Sequence, residues 1–510
     1  MVIGLIAWAL VPTNGGGGSN LTSGAGFVAG TGGGGSGAGG SADAGAASDS
    51  GGASASGGAG SASGAGSASG SSARAPGAST AKGTTGADGG GAAGTGGSSS
   101  SCENLKATDV GVTATQIKVA VILLNLAGAI GNSAVGQASP EVQQQMAQAV
   151  IDDVNSKGGV ACRKVVANYY KANPLDSTST QNICLQIQQD GVFAVMGGFA
   201  FPQGANDCLA QKKIPGIDNV APTPGEAKQY YPYLTSVSPD TVTDYKTAIF
   251  GMRDRGVFTA KQGFKKLSIL EDDCSQEINQ AVYSFLVQAG IPSNLITRNE
   301  FSCPTSGFAN PNDMSNFATQ DNINGVTNVV VVTGGGSFKE YTAAAKGQNF
   351  KPHYLVANYQ GMMVTATGGT GPDPDNFDGT IATTLSRYGE SNTPGLTDPA
   401  TQACIALFAR HGLPADYVTG SYLGGGNCNI IGLFAAAAAH DPGLTRAGLA
   451  TGLGQVGRFN EAYPAADAIY NTPGNGTPVK VTAGDFWWTI QFSSSCTCWK
   501  VIDPTYHPAY

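Results

Sequence analysis

The chain has 510 residues, of which 12% are charged, and its formal net charge at pH 7 is -8. A mildly acidic chain without a basic block is a poor partner for nucleic acid or for an anionic membrane surface. Residues 1–101 are almost entirely Gly, Ala, Ser and Thr and cannot bury a core, so about 400 residues remain to fold, which is enough for two α/β units.

The N-terminal region divides into an apolar tip and a long flexible stretch. Residues 1–12 (MVIGLIAWALVP) are apolar but too short to span a bilayer, which is typical of a secretory signal peptide that lacks its basic n-region. A start codon placed too far downstream, or a disordered apolar tip, is the alternative. Residues 13–101 are predicted to be a disordered linker that tethers the folded part, or else an inert tail.

The cysteine pattern indicates an oxidising compartment. There are ten Cys residues, the first is Cys102, and none forms a C-x-x-C pair. An even count in an exported context favours disulfides over zinc or redox chemistry, so an extracytoplasmic location is expected. No lipid-acceptor Cys is visible close behind the apolar tip.

Strands and helices are predicted to alternate from residue 117 onwards. Residues 117–124 (IKVAVILL) form an almost continuous apolar run, as expected for a central parallel strand that is covered on both faces. Further elements of this half are predicted as a helix from 140 to a Gly stop at 158–159, strand 164–170, helix 177–189 with Ile183, Leu185 and Ile187 inward, strand 192–196, helix 205–211 and strand 216–220. This is a doubly wound α/β unit.

The pattern restarts after residues 230–239. The predicted elements of the second half are helix 245–253, strand 266–271, helix 276–289, strand 295–301, strand 327–332, helix 338–346 and strand 353–357. Residues 399–411, 417–440 and 444–453 are predicted as helices, and residues 487–492 and 499–502 as strands.

Two sequence elements at this spacing resemble a known family. They are Gly111-Val-Thr-Ala-Thr-Gln-Ile-Lys-Val119 before the first strand and Asn155-x-x-Gly-Gly-Val160 after the first helix. They are similar to the opening of type I periplasmic solute-binding proteins, the substrate-binding subunits of ABC transporters that include branched-chain amino-acid and amide receptors. Cys162 departs from this pattern, because members commonly carry Gly or another small residue there.

The resemblance implies a type I fold with two doubly wound, Rossmann-like lobes. The lobes are expected at residues 102–238 with 378–450 and at residues 239–377 with 451–510. Residues 377–384 (FDGTIATT) resemble the segment that returns to the first lobe. A three-segment hinge would let the lobes close over a ligand.

Disulfides are expected between Cys184 and Cys208, where the resembling family has a bridge nearby, and between Cys274 and Cys303 and between Cys404 and Cys428, which have similar spacing. Cys102 with Cys162 is the more comfortable remaining pair, since a C-x-C bridge closes a strained ring. Cys496 and Cys498 then remain without an assigned partner. A reactive or metal-binding dithiol formed by these two residues is a further interpretation.

The ligand site is expected at the carboxyl ends of the strands, where an α/β sheet changes strand order. The candidate ligand-binding residues are Asn125, Gly198, Phe199, Ala200, Phe201, Asn219, Ala221, Ser275, Gly335, Asn358 and Tyr359. The Phe residues could instead pack within their lobe. Asp272 and Asp273 could contact the ligand, but a helix cap near Ser275 is the favoured interpretation for them.

These loops differ from those of the amino-acid-binding relatives. The resemblance implies Ser or Thr hydroxyls in the first lobe and an acidic residue in a late loop of the second, but the chain has Phe199 to Phe201 and then Asn358 and Tyr359. An ammonium group without a counter-charge would cost several kcal/mol. A neutral or aromatic ligand is therefore expected rather than a free amino acid.

Enzyme interpretations find little support in the sequence. Residues 329–337 (VVVVTGGGS) lack the full G-x-G-x-x-G spacing and have no P-loop Lys, the four His residues are isolated, and the folded region has no G-x-S-x-G. We expect no catalytic residue, metal or cofactor. The predicted function is extracytoplasmic capture of a small molecule for an ABC-type importer with its permease subunits; a ligand-sensing or structural cell-envelope protein of the same fold is the alternative.

Overall fold

The structure is a computed structural model, and it describes residues 102–126, 128, 132, 137–173, 176–197, 204–303, 309–333, 335–357, 371–396, 398–419, 422–441, 443–474 and 476–510. The predicted signal-peptide remnant and linker lie outside these residues. No helix in the described ranges is long and apolar enough to cross a membrane.

The first half of the folded region forms a five-stranded parallel sheet with the strand order β2-β1-β3-β4-β5. Its elements are β1 (Gln116–Leu124), α1 (Pro140–Ser156), β2 (Lys164–Ala172), α2 (Ser177–Gln189), β3 (Ala194–Met196), α3 (Gly204–Gln211), β4 (Gly216–Asp218), α4 (Pro224–Tyr230) and β5 (Leu234–Ser236). Local chemistry sets the start of α1: Ser139 is the N-cap and accepts a hydrogen bond from the Val142 backbone N–H, and Pro140 occupies the first turn.

The central strand β1 packs against helices on both faces. Val119, Val121 and Leu123 belong to one apolar cluster together with α1, whereas Ile122 and Leu124 belong to another together with α2 and α3. Successive side chains of a strand point to opposite faces, so the continuous apolar run fills two cores at once.

A second parallel sheet has the order β7-β6-β8-β9. The elements of this part are α5 (Thr241–Asp254), β6 (Leu267–Asp272), α6 (Gln276–Gln288), β7 (Ile296–Phe301), α7 (Pro311–Ile323), β8 (Asn328–Val331), α8 (Gly335–Gly347) and β9 (His353–Leu355). Both sheets place their first strand next to their third, which is the doubly wound arrangement expected.

The remaining elements connect the two halves and complete their cores. They are α9 (Pro374–Phe377), β10 (Ile381–Thr384), α10 (Pro399–Arg410), α11 (Asp416–Thr419), α12 (Tyr422–His440), α13 (Leu449–Val456), β11 (Arg458–Phe459), β12 (Ala468–Ile469), β13 (Phe486–Ser493) and β14 (Cys498–Pro508). Strands β10, β13 and β14 form a three-stranded antiparallel sheet, and its Phe492 and Trp499 pack on Phe377 in the core of the second half.

The apolar packing near the expected lobe boundaries favours boundaries at other residues. Ala382 and Tyr388 lie in the apolar cluster of the second sheet, although residues 378–450 are expected in the first lobe. Leu453, Tyr470 and Val481 lie in the cluster of the first sheet, although residues 451–510 are expected in the second lobe. The division into lobes stays an expectation, with boundaries that this packing moves towards residues 390 and 485.

Three chain segments run between the two cores and lie side by side. The Ala483 backbone N–H donates to the Ser238 carbonyl at 2.9 Å, and the Arg387 backbone N–H donates to the Pro464 carbonyl at 2.7 Å. Gly484 has φ +87°, and a Cβ there would lie 2.5 Å from the Cβ of Pro239. Only glycine allows both this conformation and this close approach.

All ten cysteines are paired. The bridges are Cys102–Cys162, Cys184–Cys208, Cys274–Cys303, Cys404–Cys428 and Cys496–Cys498. The first four agree with the expected pairs. The expectation that left Cys496 and Cys498 unpaired is wrong, because the turn between β13 and β14 brings their Cα atoms to 5.1 Å, and the proposed free dithiol is absent from this oxidised form.

Some local expectations also need correction. Leu185 of α2 is 47% exposed and does not face the core, whereas Ile183 and Ile187 are buried as expected. Helices α4 and α7 and strand β5 were not predicted. Thr223 and Glu226 form a capping box at α4, and Asn310 with Pro311 begins α7, so both starts have the usual residue signals of a helix N-terminus.

Candidate functional site

The candidate site lies at the carboxyl ends of the two parallel sheets. Strand order reverses between β1 and β3 in the first sheet and between β6 and β8 in the second. Loops that leave adjacent strands in opposite directions open a crevice at such a point. The loops after these strands, and those after β4 and β9, are the walls to consider.

The loop after β1 is held by buried amides. Asn132 accepts a hydrogen bond from the Leu126 backbone N–H at 2.8 Å and donates to the Leu124 carbonyl at 2.7 Å, and Gln143 accepts from the Leu124 N–H at 2.7 Å. The predicted ligand residue Asn125 accepts from the Gly128 N–H at 3.0 Å. Its side-chain oxygen therefore already shapes the turn.

Asn219, which follows β4, has the properties of a ligand-binding side chain. It is 4% exposed, and neither its Oδ1 nor its Nδ2 has a hydrogen-bond partner among the described residues. The Ser238 hydroxyl donates to its backbone carbonyl at 2.7 Å, which fixes the residue in the loop. A buried amide without partners is unusual in a folded protein and indicates a missing partner such as a ligand or an ordered water.

The neighbouring predicted residue, Ala221, is half-buried and packs against the apolar cluster of the second sheet, which brings this loop into contact with the other half. A hydrogen bond between the halves lies next to it. The Gly225 backbone N–H of α4 donates to Glu277 Oε1 of α6 at 3.4 Å.

Asp218 is a buried carboxyl directly before Asn219. Its Oδ1 accepts a hydrogen bond from the Val220 backbone N–H at 3.2 Å. Burial raises the pKa of Asp218 to about 8, and the charge of Glu226 acts in the same direction, while the hydrogen bonds from Val220 and Ser236 act against it. Asp218 is therefore mostly protonated at neutral pH, when it can donate as well as accept a hydrogen bond.

In the second half, Asp272 ends β6 at the reversal of strand order. It is 1% exposed, and its Oδ1 accepts a hydrogen bond from the Ser275 hydroxyl at 2.9 Å, whereas Oδ2 has no partner among the described residues. Burial raises the pKa of Asp272 to about 6, with the Ser275 and Thr333 hydroxyls acting against it. The carboxyl is therefore mostly ionised at neutral pH.

The capping interpretation does not describe the two aspartates. Ser275 is itself the N-cap residue of α6 and forms no side-chain capping bond. The predicted ligand residue Ser275 instead supports Asp272, and Asp273 accepts from the Cys303 backbone N–H at 2.7 Å.

Two further polar side chains border Asp272. Asn279 of α6 donates to the Asp272 carbonyl at 2.7 Å, and its Oδ1 has no partner among the described residues. The hydroxyl of Thr333, which follows β8, lies beside the Asp272 carboxyl and lowers its pKa. Both residues are fully buried.

The remaining predicted residues fall into two groups. Gly335 is the first residue of α8, two positions after Thr333. The other residues lie outside the described ranges, so the expectation of an aromatic ligand beside Phe199, Phe201 and Tyr359 stays a prediction: Gly198, Phe199, Ala200, Phe201, Asn358 and Tyr359.

One group of possible metal ligands occurs in the part of the chain that the structure describes. It consists of Asp273, Cys274 and Cys303. The two cysteines are joined to each other in a disulfide and have no thiolate to offer, so this group is not a metal site in the oxidised protein.

Sequence reasoning did not include Asp218, Asn279 or Thr333 among the candidate ligand-binding residues, and it favoured a helix cap over a ligand contact for Asp272. Asp218 and Thr333 each end or follow an apolar strand run, so they begin loops that the sequence places at the site. Asn279 lies one turn into a helix, and only the tertiary structure places it beside Asp272.

Comparisons with known proteins give the fold. No family model matches the chain, and no curated protein matches it in sequence. Among solved structures, it is similar to an ABC transporter substrate-binding protein from Desulfitobacterium hafniense in complex with Leu, with 15% identity, 76% of this chain and 100% of that chain covered, and a TM-score of 0.52.

Two more solved structures have the same architecture. A solute-binding protein of an ABC transporter from R. palustris, in complex with 4-hydroxybenzoate, has 13% identity over 77% of this chain and 97% of its own, with a TM-score of 0.55. A leucine-binding protein from Thermotoga maritima has 16% identity over 77% of this chain and 98% of its own, with a TM-score of 0.52. The chain therefore has the type I periplasmic-binding-protein fold.

Proposed function

We propose that this protein, which has the type I periplasmic-binding-protein fold, captures a small molecule between its two halves outside the cytoplasm and delivers it to an ABC-type importer. The observation that favours ligand capture is that some of the buried polar groups without partners lie at the expected ligand site. Asn219 follows β4 in the first sheet, and Asp272 and Asn279 lie at and just after the end of β6 in the second. Buried polar atoms cost free energy when unpaired, and a bound solute would satisfy them.

The similar solved structures support a small-molecule ligand, but they do not specify its chemical class. Two of the similar proteins were crystallised with Leu and with 4-hydroxybenzoate, both small molecules with a carboxyl group. The preference for an aromatic ligand depends on Phe199, Phe201 and Tyr359 and stays a prediction. The five disulfides fit an oxidising, extracytoplasmic compartment.

The proposed role is binding without chemistry. The similar proteins named above are described as binding proteins, and Asp218 and Asp272 each lie within a network that holds a loop in place. Permease subunits of the importer are the proposed macromolecular partner.

A thermal-shift screen of the oxidised full chain tests ligand capture. The panel contains amino acids, amides, sugars, hydroxybenzoates and amines. A ligand at 100 times its dissociation constant is expected to stabilise the protein by about 2.7 kcal/mol.

Asn219→Leu is the informative variant for this screen. It is expected to weaken binding about tenfold or more, because it removes hydrogen bonds to the solute, while the unliganded protein keeps or gains stability since an unpaired buried amide is lost. Asn322→Leu on the exposed side of α7 is the matched control and should leave binding unchanged. No shift with any compound, in folded protein free of copurified ligand, would contradict the proposal.

A further inference from the structure

We propose that β2 is an interface between two copies of this chain, which pair their β2 strands in antiparallel orientation about a two-fold axis at Tyr169. The inference concerns assembly and goes beyond the proposed function, since it needs no ligand. Among the described strands, β2 pairs only with β1 and lies at the edge of the first sheet. An edge strand presents main-chain N–H and C=O groups that can pair with another chain.

Strand β2 lacks most of the features that protect a sheet edge. It is nine residues long, its register with β1 continues without a bulge, and it contains no proline. Its charged residues are Lys164 and Lys171, near the two ends, and residues 165–170 (VVANYY) between them are uncharged. Natural edge strands are commonly short, bulged, or interrupted by proline or charge. A long, regular edge with an uncharged centre is suited to pairing instead.

Alternate residues of β2 direct their main-chain groups away from β1. At the start of the strand, the Lys164 N–H donates to the Thr115 carbonyl at 2.9 Å. At its end, the Ala172 carbonyl accepts from the Asn125 N–H at 2.8 Å. The even-numbered residues therefore pair with the side of β1, and the odd-numbered residues direct their N–H and C=O groups to the open edge.

Only the first of these outward residues is satisfied within the described part of the chain. Asn155 of α1 accepts from the Val165 N–H at 2.8 Å and donates to the Val165 carbonyl at 2.9 Å, as a neighbouring strand would. The outward main-chain groups of Ala167, Tyr169 and Lys171 form no hydrogen bond with any described residue. Three N–H and three C=O groups thus remain, and they are arranged symmetrically about Tyr169.

This symmetry favours a second copy as the occupant of the edge. In antiparallel pairing about Tyr169, this residue faces its own equivalent and Ala167 faces Lys171 of the other copy, so all six free groups find partners. An axis one residue earlier would place Lys171 opposite Val165, whose main-chain groups are already used. The pairing about Tyr169 also gives an aromatic cross-strand pair and places no like charges opposite each other, both of which are favourable.

Exposed apolar side chains and open space lie beside the edge. Val166 of β2 is 39% exposed, and Leu185 of α2 is 47% exposed. A groove of about 380 Å³, with Tyr170 and Ile183 among its lining residues, lies between β2 and α2. Helix α2 therefore leaves this side of the strand accessible, and association would remove apolar surface from water.

Sedimentation equilibrium of the oxidised full chain, from about 1 to about 200 μM, tests for the dimer. Six main-chain hydrogen bonds over a small contact area fit a reversible dimer with a dissociation constant in the micromolar range. Hydrogen exchange of the Ala167, Tyr169 and Lys171 amides at both ends of the range should show protection only at the high concentration. A chain that stays monomeric throughout overturns the inference. Protection already at the low concentration also overturns it, because another segment of the same chain then covers the edge.

Charges at position 167 test the register. Ala167→Lys places two Lys pairs opposite each other and should raise the dissociation constant of the dimer about fivefold, whereas Ala167→Glu should lower it about fivefold. Adding Lys171→Glu to Ala167→Lys should restore the wild-type value. Val287→Lys, at a 43% exposed position of α6, is the matched control and should leave the dimer unchanged. Each variant should keep the circular dichroism spectrum of the wild type. A dimer that responds in the same way to Lys and Glu at position 167, or to neither, overturns the proposed pairing.

Discussion

Replacing Asp218 by Asn should remove a large part of the pH dependence of the protein's stability. Asp218 is 5% exposed, and burial raises its pKa to about 8 in the folded protein. In the unfolded chain an Asp titrates near 4. Between these two values the folded state binds the proton that the unfolded state has lost, so this residue makes the free energy of unfolding fall as pH rises.

The size of the effect follows from the interval over which the two states differ. One pH unit corresponds to about 1.4 kcal/mol for a single proton, so the three units from pH 5 to pH 8 give about 4 kcal/mol as an upper value. Below about pH 4 both states are protonated, and above about pH 8 both are ionised, so the slope from Asp218 vanishes at both ends. Asn has no proton to lose and can still accept the Val220 hydrogen bond.

Urea unfolding of the oxidised full chain at pH 5, 6, 7 and 8 measures this dependence. The stability of Asp218→Asn relative to the wild type should rise steadily over the series, because Asp272 and the other groups titrate in both proteins. Asp416→Asn, at an exposed position in α11, is the control and should follow the wild-type curve. Parallel curves for wild type and Asp218→Asn would refute the assignment of a raised pKa to Asp218.

Two further predictions concern stability. Arg387→Met should destabilise the protein by about 3–5 kcal/mol in urea unfolding. The buried Arg387 guanidinium pairs with Asp398 at 2.9 Å and with Asp467 at 2.7 Å, and both carboxylates would lose their counter-charge. A loss of stability below about 1 kcal/mol would mean that the pairs are dispensable. Replacing both Cys496 and Cys498 by Ser should cost under about 2 kcal/mol of stability, whereas removing the Cys102–Cys162 bridge should cost about 4 kcal/mol. The first bridge closes a sequence separation of 2 residues and the second one of 60, and the loop-closure entropy that a bridge removes grows with this separation. Equal losses for the two bridges would contradict this prediction.

Local patterns predicted the fold to a large extent. The apolar run of β1, the Ser139-Pro140 start of α1 and the Gly residues after it are signals within a few residues of each other, and the structure confirms the elements. The similarity to solved solute-binding proteins confirms the type I fold that the opening motifs implied. Parallel strands that alternate with helices allow few topologies, so element order was enough.

The sequence predicted the location of the candidate site but not which of its side chains are available for a ligand. Strand ends indicate which loops border the crevice, and Asn219 was found in this way. Whether a side chain in such a loop is free for a ligand depends on the hydrogen bonds that it forms in the folded chain. Asn125 accepts a hydrogen bond within its own turn, Ser275 donates to Asp272, and Asp273 accepts from the Cys303 backbone.

The sequence by itself determined the strand and helix order and the export-type cysteine content, because these depend on periodicity and composition. The tertiary structure decided which polar groups are left without partners, that Asp272 is buried without a counter-charge, and that Cys496 pairs with Cys498. These properties depend on desolvation and on contacts between segments far apart in the chain, and both exist only after the chain has folded.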